Sequence, residues 1–168
     1  MNRYGGSPAW QRPAARLLLV AVIGLAAVAA ALFTQHRWGM LPCPWCIVQR
    51  VIFLLIAALA LAGAAARGAA WCGVRRAAAA GVVLLAASGV GAALWQHFVA
   101  AASASCNLTL ADRLISGAGL DSWWPEVFGV FASCADAKVS LAGVPYEFYS
   151  LMLLVVLALL AWPVMRRA

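Results

Sequence analysis

Charge is what this sequence has least of. Five acidic and twelve basic side chains are spread over 168 residues, of which 66% are hydrophobic. A water-soluble domain is about a quarter charged and about half apolar. No soluble fold of this length could bury so much apolar surface, so lipid has to be the solvent for most of the chain. The sequence also lacks a GxGxxG loop, a CxxCH haem-attachment site, iron–sulfur spacing, a second CxxC, internal repeats and any low-complexity domain beyond alanine-rich helix. Nucleotide, haem and cluster chemistry therefore have no motif here, and a four-cysteine zinc site lacks its usual second pair.

The net charge of +7 does not point to nucleic acid, because the basic residues do not form one patch. Eight fall in alternate segments between apolar runs: Arg3, Arg12, Arg16, Arg67, Arg75, Arg76, Arg166 and Arg167. Arg37, Arg50, Arg113 and Lys138 fall on the other side, together with all five acidic residues. That is the positive-inside pattern, which predicts cytoplasmic termini and a cytoplasmic 67–76 loop. Four of the five cysteines (Cys43, Cys46, Cys106, Cys134) then face outward, where disulfides form and persist. Cys72 lies in the cytoplasmic loop and reads as a free thiol without a role.

Four apolar runs predict an all-α membrane protein, a single domain over 1–168 built as a four-helix bundle. The helices are expected over about 16–35, 47–66, 77–99 and 147–165, each long enough for ~30 Å of hydrocarbon. A short outer loop would cover about 36–46 and a long one about 100–146. The first run, Leu17 to Phe33, could be read as a signal peptide cleaved after Ala29-Ala30-Ala31. It exceeds the about 7–15 residues of a signal core, which favours a retained helix. Gly81, Ser88, Gly89 and Gly91 supply small residues for close packing of the third helix. In the long loop, Leu108, Ala111, Leu114 and Ile115 recur at helical spacing opposite Asp112 and Arg113, predicting a short amphipathic helix on the membrane surface. Trp123, Trp124, Phe128 and Phe131 keep the rest of that loop near the headgroups, or are ordinary aromatic-belt residues.

The strongest local signal is Pro42-Cys43-Pro44-Trp45-Cys46. Two cysteines separated by two residues close a small, exchangeable disulfide, and a thiolate is favoured where the second meets a helix N-terminus. A static disulfide or half a metal site is the competing reading. Arg50 lies four residues after Cys46, hence one turn deeper on the same helix face. It either snorkels towards headgroups or, with the helix dipole, stabilises the Cys46 thiolate and polarises an acceptor's carbonyl oxygen. Cys106 and Cys134 are a structural staple if taken alone; beside an exposed CxxC they suggest a relay. Disulfide formation releases two electrons and two protons, and peptide has nowhere to store them. A quinone reached from within the membrane fits best, with His97 as a hydrogen-bond or proton donor and Gln35 and His36 as weaker candidates.

The run Gln35-His36 … Pro42-Cys43-Pro44-Trp45-Cys46-Ile47-Val48-Gln49-Arg50 resembles the first-loop signature of the DsbB family. The stretch Trp124-Pro125-Glu126-Val127-Phe128 … Cys134 … Leu141-Ala142-Gly143-Val144-Pro145 … Ser150-Leu151 is similar to its second-loop and fourth-helix signature. The likeness covers nearly the whole chain. It implies an enzyme of the bacterial inner membrane, a protein-disulfide:quinone oxidoreductase. Such an enzyme reoxidises a periplasmic DsbA-like thioredoxin-fold protein and passes the electrons to ubiquinone or menaquinone. By motif position, Cys106 would be attacked by the partner's thiolate, Cys134 would exchange with Cys43, and Cys46 would serve the quinone beside Arg50 and His97. Ser103 to Asn107, by contrast, has no proline or aromatic residue with which to dock in a partner's apolar groove. A vitamin K epoxide reductase-like enzyme would carry its CxxC late in the chain. A paralogue with one dedicated substrate and a cysteine-based metal-handling membrane protein are the other competing readings.

Overall fold

The computed structural model describes residues 12–66, 68–101, 110–137 and 139–167. Four helices are long and apolar enough to cross a membrane: α1 (Pro13–Trp38), α2 (Pro44–Ala65), α3 (Cys72–Trp95) and, last in the chain, α7 (Tyr146–Arg167). Three short helices lie between α3 and α7: α4 (Leu110–Gly117), α5 (Leu120–Trp123) and α6 (Pro125–Phe128). A hairpin of β1 (Ser140–Leu141) and β2 (Val144–Pro145) leads into α7.

The long helices form a ring in the order α1, α2, α3, α7, each packed chiefly on its two neighbours. Buried positions recur every three or four residues: Leu17, Val20, Ala21 and Val28 on α1; Phe53, Ile56, Ala57 and Ala60 on α2; Ala79, Val82 and Ala86 on α3; Leu154, Leu157, Ala161 and Val164 on α7. The opposite faces are equally apolar. Leu84, Leu159 and Met152 are each about two-thirds exposed, an arrangement that water penalises by about 1.5–3 kcal/mol per side chain and lipid does not.

Small residues set how closely the helices approach. A Cβ on Gly63 would sit 2.8 Å from the Ala78 Cβ and 2.9 Å from Leu17 Cδ1, so α1, α2 and α3 meet there. Gly81 and Gly89, two of the glycines picked out by the sequence, lie against Leu59 and Leu154 respectively. The other two small residues do not pack: Gly91 faces open space and Ser88 donates to the Leu85 carbonyl of its own helix. They lie on the outward side of α3.

Helix limits differ from the sequence expectation where polar residues extend a helix past its apolar run. Pro44 occupies the first turn of α2, as a proline can where no N–H is needed, so Cys46 lies inside the helix rather than before it. α3 begins five residues earlier than expected, with Arg75 and Arg76 reaching the Ala66 and Met165 carbonyls. The expected amphipathic helix is α4, but its apolar face is divided. Ala111 and Ile115 are buried, with Ile115 packed against Ile47, Val127 and Phe128, whereas Leu110 and Leu114 stay exposed. Leu108 lies outside the described residues. The hairpin was not foreseen; its two-residue turn holds Ala142 at φ 51° and Gly143 at φ 82°, the both-positive pattern of a type I′ turn.

We expect Gly63→Ala to destabilise the bundle by about 1–3 kcal/mol, because the Ala78 Cβ cannot move without shifting α3. Gly91→Ala should be neutral or slightly stabilising, since its new methyl meets nothing. Unfolding midpoints in detergent, compared between the two variants, check this.

Candidate active site

The start of α2 builds the site. Cys43 is the N-cap residue and its sulfur accepts the Cys46 backbone N–H at 3.3 Å, doing with sulfur what a serine or aspartate oxygen does at other helix starts. The same turn brings the Cys43 and Cys46 sulfurs to 2.6 Å. Cys43 is fully buried; Cys46 is half-buried one step further into the helix.

The long loop delivers a third sulfur. The Phe131 and Ala132 N–H groups both donate to the Pro42 carbonyl, at 3.1 and 3.3 Å, clamping the loop onto the segment that precedes the CxxC. Ser133 then opens a tight turn, its hydroxyl bonded to Asp136 at 2.6 Å. Cys134 stands in that turn and packs against Cys43, with Trp45, Cys46 and Ala137 around them. The Cys43 thiol donates to Cys134, and this bond, followed by the bond to Cys46 and then burial, pushes the Cys43 thiol far above its ordinary range. Cys134 moves the other way: the Cys43 donor and the Trp45 backbone N–H hold it below the usual thiol range, against the opposing effect of burial. Cys134 is thereby the favoured thiolate and Cys43 the sulfur it faces.

Beside Cys46 lies a cleft of about 710 Å³ between α1, α2 and α7. Its walls are mostly apolar, with Val28, Phe53 and Leu153 among them; Cys46, Gln49, Arg50, Gln96 and Glu147 bring polar groups to it. Ala29 and Ala30, exposed on the outer face of α1, also line it, so the cleft is continuous with the lipid-facing surface. Arg50 is 6% exposed and donates through Nη1 to the Val127 carbonyl at 2.9 Å, tying the long loop to α2. A guanidinium has five N–H donors, so this bond leaves others for an acceptor in the cleft.

His97 is not part of the cleft wall. Its Nδ1 lies 2.7 Å from Glu147 Oε1, with its ring against Phe98 and Phe148. Glu147 is the residue that reaches the cleft, so His97 is connected to it at one remove. His36 is exposed and bonded to Leu32 of its own helix turn, and Gln35 donates to the Glu126 carbonyl; neither lines the cleft. Cys106 lies outside the described residues. Cys72, at the start of α3, lies at the opposite end of that helix from the Gln96 turn.

Sequence reasoning missed Gln49, Gln96 and Glu147 as site residues. Gln49 donates to Gln96 Oε1 at 2.8 Å, and Gln96 donates to the Cys46 sulfur at 3.4 Å. Such a bond between membrane helices is worth about 0.6 kcal/mol on average and up to ~1.7. The available signal was polarity in apolar runs, Gln49 beside Arg50 and Gln96 beside His97. A glutamine inside a membrane helix needs a partner, though periodicity does not name it.

The sequence has relatives. The family model described as "Disulfide bond formation protein DsbB" matches residues 13–164. The chain is 33% identical over 143 residues to disulfide bond formation protein B of Burkholderia pseudomallei, covering 84% of this chain and 83% of the relative. It is 31% identical over 144 residues to the protein of that name from Ralstonia nicotianae (84% and 87% covered) and 32% identical over 145 residues to that of Pseudomonas syringae pv. tomato (86% and 84%). A match that runs from the first turn of α1 almost to the end of α7, over four helices able to cross a bilayer, establishes that this multi-pass membrane protein belongs to the DsbB family of disulfide bond formation proteins.

Proposed function

We propose that this protein oxidises the dithiol of a DsbA-like thioredoxin-fold protein and delivers the two electrons to a membrane quinone. In this reading the whole chain is one domain of the bacterial inner membrane, with cytoplasmic termini and the redox cysteines on the periplasmic side. One observation carries the reading: Cys43 touches both Cys46 and Cys134, and Cys46 borders an apolar cleft that also holds Arg50.

The step at Cys106 is what the family resemblance implies; the exchange between Cys134, Cys43 and Cys46 is supported by which sulfur faces which. The partner's thiolate attacks Cys106 of a Cys106–Cys134 disulfide, forming a mixed disulfide and expelling Cys134 as thiolate. A leaving thiol with a lowered pKa departs faster; with Cys43 held in its own disulfide, the donor that remains to the Cys134 sulfur is the Trp45 backbone N–H. Cys134 then attacks Cys43 of the Cys43–Cys46 disulfide; the Cys134–Cys43 bond forms and Cys46 leaves with the electron pair, at the cleft. This second attack is intramolecular, and the clamp on the Pro42 carbonyl raises the effective concentration of Cys134 at Cys43.

The cleft fits a quinone. Its volume lies within the about 300–1,000 Å³ of small-molecule sites, and its lining is apolar with a few convergent polar groups. Arg50 would hold a carbonyl oxygen, and Phe53 and Leu153 the apolar body. Ubiquinone or menaquinone bound there supplies the two-electron, two-proton acceptor that disulfide formation requires. His97 acts on that site through Glu147, as a positioning residue.

The deciding experiment gives purified protein a reduced DsbA-like partner and a soluble quinone. Cys46→Ser should abolish quinone reduction; undiminished reduction would overturn the electron path. Arg50→Met should raise the apparent KM for quinone about tenfold, the loss of one charge-assisted hydrogen bond, while the cysteines stay oxidised as isolated; an unchanged KM refutes that role. The lowered Cys134 thiol also has a pH consequence. A depressed pKa keeps the thiolate populated to lower pH and loses it only as pH falls through the depressed value. With the cysteines kept reduced, Cys43→Ala should therefore slow Cys134 alkylation at neutral pH about tenfold and move its onset to higher pH. Site-by-site mass spectrometry reads this, and an unaltered Cys134 profile counts against the pairing.

A further inference from the structure

Two glutamines buried between membrane helices are costly unless their amides are satisfied. Gln49 and Gln96 are 5% and 7% exposed, and they satisfy each other in one direction only. Gln49 Nε2 donates to Gln96 Oε1 at 2.8 Å. With its oxygen engaged, the Gln96 amide turns its NH₂ towards Cys46, and Nε2 lies 3.4 Å from that sulfur. The orientation of Gln96 is thus set by its neighbour on α2 rather than by the sulfur itself.

The backbone supports the same placement. Gln96 opens a π turn, Gln96–Ala100, in which the Ala101 N–H reaches back five residues to the Gln96 carbonyl at 2.8 Å. Such wide turns cluster at functional sites. At this one, successive residues serve different helices: Gln96 bonds to α2 and His97 to α7. The other nearby donors are aimed differently. Arg50 commits Nη1 to the Val127 carbonyl and turns its remaining N–H groups to the cleft. The Cys46 backbone N–H donates to Cys43, whereas the Gln96 amide is the side-chain N–H in hydrogen-bond contact with the Cys46 sulfur.

We infer that Gln96, oriented by Gln49, is the hydrogen-bond donor that receives the negative charge on Cys46 when the Cys43–Cys46 disulfide opens. In that step Cys134 bonds to Cys43, the Cys43–Cys46 bond breaks, and the electron pair goes to Cys46. A donor already aimed at the sulfur on which charge develops costs no reorganisation at that moment, and burial strengthens it. Gln96 is a catalytic residue because it touches the reacting sulfur; Gln49 is a positioning residue because it acts through Gln96. This rests on the reading of Cys46 as the sulfur that leaves at the cleft.

The test uses full-length, quinone-free, reduced protein, so that it does not depend on quinone chemistry. Alkylation of Cys46 by iodoacetamide at neutral pH is followed by mass spectrometry, with ultraviolet thiolate absorbance as a measure independent of reagent access and Cys72 as the internal control. Gln96→Met, close in shape but without a donor, should slow Cys46 alkylation about tenfold. Gln49→Met, which leaves Gln96 in place but free to turn, should slow it about threefold. The double variant should be no slower than Gln96→Met alone, since Gln49 has no effect except through Gln96. Wild-type alkylation and absorbance in Gln96→Met, or additive losses in the double variant, would overturn the inference. Should Gln96→Met itself fail to fold, as judged by its unfolding midpoint, unchanged alkylation and absorbance in a folded Gln49→Met still overturns it. Because Cys46→Ser tests the quinone path separately, failure there and failure here are told apart.

Discussion

The Cys43 sulfur holds together parts of the chain that are otherwise far apart. It caps the first turn of α2, lies against the Cys46 sulfur, and is the surface on which Cys134 of the long loop rests. Each contact constrains the others. Capping buries Cys43 and starts the helix at Pro44, which places Cys46 at the cleft and Arg50 one turn below it. Docking of Cys134 requires the loop to come down onto the start of α2, and the Pro42 carbonyl and Arg50 supply the hydrogen bonds that keep it there. The loop is held by the residues around the CxxC that it serves.

Lipid as solvent explains why the polar groups are so few and so paired. Inside hydrocarbon an unmet hydrogen bond costs several kcal/mol, so a bundle with apolar faces inside and out gains nothing from scattered polar residues. The buried ones among the described residues gather at one end: the Gln49–Gln96 rung, Arg50 with its carbonyl, Glu147 with His97, and Thr34 facing the Tyr146 hydroxyl at 3.3 Å. All of them lie at or next to the cleft. The same solvent lets the core be built from alanine and glycine, because packing between membrane helices comes from close approach rather than from apolar burial.

Several features were legible in the sequence because they depend only on neighbours along the chain. Membrane helices follow from continuous apolar runs. Cys43, Cys46 and Arg50 follow from helical spacing, since residues three or four apart must share a face. Other features were not legible. Gly91 and Gly89 are equivalent on paper, yet one faces open space and the other Leu154. The α4 stripe was readable as amphipathic, but its division between protein and surface depends on where Ile47 and Phe128 stand.

By itself, then, the sequence determined the number of apolar helices, the CxxC at the head of α2, and an arginine one turn below it. The tertiary structure alone decided how the Cys134 turn is clamped beside Cys43, that the cleft lies between α1, α2 and α7, and that Glu147 rather than His97 lines it. It also decided that Gln96 points at Cys46, because Gln49 on another helix holds the far end of its amide. The division has one physical cause. Helical periodicity says which residues share a face, whereas the rotation and approach of each helix are set by the packing of all four.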